Sequence, residues 1–102
     1  MEWYNYIADF FAGAFLANFV PHFIYGVSGD KFPTPFAKPP GQGLSSATTN
    51  VLWALLNLII GFLLFIKGNI TTEQPLTWVL FFAGVAAMSI MLGKNFEKKD
   101  KE

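Results

Sequence analysis

At 102 residues the chain has room for one domain, yet 53% of it is hydrophobic and twelve residues are Phe, more than a water-soluble core of that size can hide. The formal charge is zero, so no basic surface invites nucleic acid, which is not an expected partner. Cys and Arg are both absent, which removes disulfides, thiol catalysis, Cys-based metal sites and bidentate guanidinium clamps.

The first apolar segment spans about residues 4-27 (YNYIADFFAGAFLANFVPHFIYGV), long enough at about 1.5 Å per residue to cross a hydrocarbon layer of about 30 Å. Its start, MEWYNY, carries an acid where a secretory signal carries lysines, so the segment reads as a span and not as a cleaved leader. Pro21 removes a helical hydrogen bond to the Ala17 carbonyl, which predicts a bend before His22 and a free carbonyl facing the polar residues nearby.

The loop that follows, 28-44, is rich in Pro and Gly. Phe32-Pro33, Thr34-Pro35 and Lys38-Pro39-Pro40 hold their preceding residues extended, while Gly29, Gly41 and Gly43 permit tight corners. Phe32 and Phe36 are large apolar side chains in a segment otherwise fit for water, and they are expected to pack down on the helix ends. Phe32, Pro33, Pro35, Phe36, Pro39 and Pro40 thus predict an ordered cap; a partner-docking loop or a simple polyproline spacer is the alternative. The stretch GVSGDK lacks the glycine and lysine spacing of a phosphate loop and follows no strand, so nucleotide binding is not expected.

The second span, about 45-66, opens on Ser45 or Ser46, which can cap the first helical turn. The third, about 76-93, follows Pro75, suited to a first helical position, and closes at Gly93 before a charged tail, 94-102. The prediction is an all-α integral membrane protein of three transmembrane helices, folded as a single domain with an ordered loop between the first two.

Three spans put the loop and the tail on one side of the membrane, where Lys31, Lys38, Lys94, Lys98, Lys99 and Lys101 collect, against Lys67 alone on the other. Positive loops stay cytoplasmic, so the N-terminus is expected outside and the C-terminus inside. Trp3, Tyr4, Tyr6 and Trp78 fit an interfacial aromatic belt, and Asn69-Ile70-Thr71 is an outside tripeptide that chance alone supplies often. The string FFAG occurs at Phe10–Gly13 and again at Phe81–Gly84. Helix packing explains both copies: Gly13 with Ala17, and Ala83 with Ala87, space small residues four apart where backbones can approach.

Polar groups within spans are costly and so carry the most information. With Asp9 at zero on a helical wheel, Asn18 lies near ~180° and His22 near ~220°, about 20 Å from the acid along the axis. No proton relay joins them on one helix. On the second span Ser46, Asn50, Trp53, Asn57 and Gly61 form one stripe. Antiparallel neighbours bring His22 and Asn50 to one depth, with Asn18 and Asn57 deeper, which predicts a polar seam of Asn18, His22, Asn50 and Asn57. Such a seam either fixes helix register by hydrogen bonds or lines a ligand pocket or solute path. One His with amides does not make a usual metal set, so no metal or other cofactor is expected. Asp9, about 8 Å from the outer end, is expected to reach the headgroups; turned toward Gly13 and Ala17 it would instead meet a partner helix.

No nucleophile, base and orienter can be assembled from these residues, so no enzyme is expected. Three spans, N-terminus out and C-terminus in, with a lysine-rich tail, resemble class I phage holins in topology, though in no motif, and the cap has no counterpart in that plan. The leading expectation is a subunit or stabilising element of a membrane assembly, bound to lipid and to copies of itself or another membrane protein. The alternatives are an oligomeric channel, transporter or holin-like pore, and a membrane-embedded binder of a lipophilic ligand.

Overall fold

A computed structural model describes residues 2–99; the end of the tail, Lys101 included, lies outside the described residues. The apolar segments form three helices, α1 (Trp3–Val27), α2 (Ala47–Lys67) and α3 (Pro75–Phe96), each long and apolar enough to cross a membrane. The molecule is 47 Å long, against about 40–45 Å for a bilayer with its headgroups.

Local chemistry sets the helix ends. The Ser46 side chain accepts a hydrogen bond from the Thr49 N–H at the start of α2 (3.1 Å), and Pro75 opens α3. Gly93 does not close α3, which runs on to Phe96. Tertiary contacts extend it: the Phe96 ring meets Phe32 at 4.6 Å, and the Asn95 amide donates to the Gly41 carbonyl (3.3 Å). These contacts hold the loop and the end of α3 at one end of the bundle.

The central helix is α1, which packs against both others, while α2 and α3 share little contact and meet through Phe65 with Trp78 and Phe81. The loop is not strand-free: β1 (Phe32–Pro33) and β2 (Leu44–Ser45) pair antiparallel, Phe32 opposite Ser45 and Pro33 opposite Leu44.

Where α1 crosses α3 the two FFAG strings face each other. A Cβ on Gly13 would collide with the Phe81 carbonyl oxygen, and a Cβ on Gly84 with the Phe10 carbonyl oxygen, so each glycine lets the other helix's backbone close in. The spacing rule misplaces half of this contact, because Ala83 and Ala87 are exposed. A helix apolar all round gives no sign of which face turns inward. Ala17 and Pro21 also face α3, beside a cavity shared with Val85 and Ser89. α1 continues through Pro21 as one helix; Pro21 lies on the α3 side, whereas His22, one residue on, turns to α2.

Candidate functional site

The α1–α2 interface is joined by side-chain hydrogen bonds at three levels. Asn5 donates through Nδ2 to the Lys67 carbonyl (2.8 Å), Asn18 Nδ2 to Asn57 Oδ1 (2.9 Å), and His22 Nδ1 meets Asn50 Oδ1 (2.8 Å). Along α1 the numbers rise while along α2 they fall, as antiparallel helices require. His22, Asn50 and Asn57 are buried to within 2%. Sequence reasoning missed Asn5 because its partner is a backbone carbonyl, one of the orphan groups at a helix C-terminus, and carries no side-chain signature.

Backbone carbonyls fix the orientation of the whole set. The Asn50 amide nitrogen faces the carbonyls of Phe32 (2.9 Å), Ser46 (3.0 Å) and Ser45 (3.3 Å), and the Asn57 amide nitrogen donates to the Trp53 carbonyl (2.7 Å). Carbonyls only accept, so both α2 residues present Oδ1 to α1. It follows that Asn18 offers its NH2 to Asn57, and that the neutral His22 ring carries its proton on Nδ1. Asn18 Oδ1 and His22 Nε2 are left with lone pairs and no hydrogen-bond partner among the described residues.

The cap is built on this seam. Phe32 is 3% exposed; its ring stacks on Tyr25 (4.3 Å) and meets His22 edge-on (5.4 Å), while its carbonyl takes the Asn50 amide. Thr34, buried, hydrogen-bonds the Ser45 hydroxyl (2.6 Å) and accepts from the Phe36 N–H (3.2 Å), and its carbonyl accepts from the N–H groups of Ala37 and Gly41. Four polar contacts at Thr34 therefore hold the loop to β2 and close it on itself. Pro33 is buried, whereas Pro35, Pro39 and Pro40 are exposed. Phe36 differs from Phe32: it is 65% exposed and touches only the rim, edge-on to Trp53 at 5.2 Å.

Between seam, cap and α3 lies a cavity of about 230 Å³, lined by Asn18, His22, Pro35, Trp53, Met91 and Phe96 among others. The two unpartnered acceptors of α1 thus belong to residues on its wall. The Trp53 side chain, part of the α2 stripe, contributes wall and not hydrogen bonding; its indole N–H is buried without a partner.

The Asp9 side chain does not open outward at the end of the bundle. It is fully buried at the far end of the bundle from the cap, in the space a side chain on Gly68 would occupy, and neither carboxyl oxygen has a hydrogen-bond partner. The Asn5–Lys67 bond draws the end of α2 onto α1 and leaves Asp9 no route outward. Asp9 and His22 stand at opposite ends of α1 and are not brought together. Among the described residues no three of His, Cys, Asp and Glu gather at metal-binding spacing.

The arrangement can pair amides, bury an imidazole and enclose a small apolar space with two acceptors on its wall. Compared with known proteins, the chain matches no family model, and no curated protein or solved structure shows significant similarity to it.

Proposed function

We propose that this chain is a small polytopic membrane protein that serves as a subunit or stabilising element of a membrane assembly, formed with copies of itself or with other membrane proteins. The observation that supports this reading is how the polar groups are used. The amides and imidazole of the spans bond to each other or, for Asn5, to the Lys67 carbonyl, while Leu52, Ile59, Phe62, Val79, Phe82 and Ile90 face outward. The result is a pinned unit with an apolar exterior, suited to lipid and to neighbouring helices. The reading includes no catalytic role. It places the N-terminus outside and the cap with the tail on the cytoplasmic side, on the strength of Lys31, Lys38, Lys94, Lys98 and Lys99 at one end against Lys67 at the other.

Mass determination of the chain purified in mild detergent tests the assembly. A closed oligomer or a stoichiometric foreign chain is the expected result, and a bare monomer would overturn it. For orientation, Gln42→Cys and Glu73→Cys, both at exposed positions, should label from opposite sides of intact cells, Glu73→Cys from outside. Outside labelling of Gln42→Cys reverses the assignment.

A further inference from the structure

We propose that the cavity beneath the cap is a binding site for a lipophilic molecule that carries a hydroxyl head, with His22 Nε2 and Asn18 Oδ1 as the acceptors of that head. The inference goes beyond the assembly role and does not rest on it.

The first support is the unspent chemistry of two side chains. Their other polar atoms are committed to α2: Asn18 Nδ2 to Asn57 and His22 Nδ1 to Asn50. The carbonyls that orient those two Asn residues allow no flip that would satisfy the remaining atoms. His22 is 2% exposed as a residue and lines the cavity, which is the space open to its unpartnered nitrogen. Residues 18 and 22 stand one helical turn apart on α1, so both acceptors serve one head group. The unpartnered indole N–H of Trp53 is buried within the wall, so the two acceptors of α1 select a ligand that donates. An alcohol does so; an ester or a ketone, which only accepts, does not.

Shape and access are the second support. Cavities of about 150 Å³ hold a benzene-sized molecule, so 230 Å³ takes a head group and the first several carbons of a chain. Most of the remaining wall is apolar: Pro33, Trp53, Leu92 and Phe96, with Met88 and Met91, whose unbranched thioethers adapt to irregular ligands, while Thr34 and Asn95 bond to Ser45 and Gly41. Met91, on the wall, is 55% exposed, and α2 and α3 share little contact, their aromatic contacts among the described residues being Phe65 with Trp78 and Phe81, toward the other end of the bundle. The side opening therefore lies between α2 and α3, where acyl chains would stand in a bilayer, and an alkyl tail can leave through it while the head stays under the cap.

The chain holds a single His, which makes the ring nitrogens of His22 an unambiguous reporter. Full-length protein with ¹⁵N-labelled His, in phosphatidylcholine nanodiscs that offer no hydroxyl donor, is titrated with oleyl alcohol, methyl oleate and 1-octadecene. Expected is a saturable change at Nε2 with oleyl alcohol alone, while the Nδ1 signal bonded to Asn50 stays in place. Met91→Trp, which fills the cavity from its lipid side, should weaken that response at least about tenfold with Nδ1 unmoved; Leu92→Phe is the second filling variant should Met91→Trp disturb the Nδ1 signal. Absence of a saturable Nε2 change with oleyl alcohol overturns the proposal. So does an equal change with methyl oleate or octadecene, or full affinity in a filling variant whose Nδ1 signal is native.

Discussion

The two faces of α1 are held by different physics. Toward α2 it is pinned by Asn5, Asn18 and His22, each bonded to a specific atom across the interface. Toward α3, among the described residues, no side-chain hydrogen bond crosses; the contact is Gly13 against Phe81 and Gly84 against Phe10, backbone on backbone. Hydrogen bonds specify register but contribute only about 0.6 to 2 kcal/mol each in a membrane, whereas close packing sums many small dispersion contacts and tolerates no added atom. One interface is therefore selective and forgiving, the other unselective and brittle.

The brittle side should break hardest. Gly84→Leu sets a side chain where the Phe10 carbonyl stands and is expected to cost about 3 kcal/mol or more. Cross-linking between cysteines on α1 and α3 should fail while α1–α2 cross-links persist; retention of both would show that the α1–α3 contact is not close-packed. Phe32 touches both interfaces, through His22 and Tyr25 on α1, Asn50 on α2 and Phe96 on α3. Phe32→Ser should cost about 3 kcal/mol and admit protease to the loop, and a loop cut no faster than in the native chain argues against the cap.

On the forgiving side the expected losses are smaller and coupled. His22→Leu and Asn50→Leu should each cost about 1 to 2 kcal/mol, since each leaves a buried partner unpaired. The double variant should lose less than the two combined, and strict additivity in an unfolding cycle would mean that the pair does not act as one bond. Smallest is Phe36→Ser, where an exposed ring on the rim is lost; a change within about 0.5 kcal/mol is expected, and protease sensitivity should stay native.

Much of this contrast can be read before any coordinates exist, and the unreadable part has physical causes. Long apolar runs between turn residues identify three helices, and depth along antiparallel helices places residue 22 beside residue 50 and 18 beside 57. Rare polar residues on greasy helices act as markers. Nothing comparable marks α3, whose small residues occur on several faces, so Ala83 and Ala87 look as suited to close approach as Gly84. The burial of Asp9 depends on Gly68, 59 positions away, and a missing side chain leaves no trace in composition. Phe32 and Phe36 look alike in the sequence; the two-residue ribbon and the Thr34 turn send one inward and the other to the rim.

The central position of α1 has a consequence for biogenesis. Made ahead of α2, at about 5–20 residues per second, it stands with Asn5, Asn18 and His22 unpaired for several seconds before α2 can answer them. Those side chains give the incoming helix one register to find, so the α1–α2 hairpin can close before α3 is made. The third helix then meets a smooth ridge with a notch at Gly13, and docks by fit alone. A nascent chain halted just after Lys67 would already hold the hairpin but not the ceiling of Phe96 over His22, and the cavity would exist only once the last turn of α3 had been made.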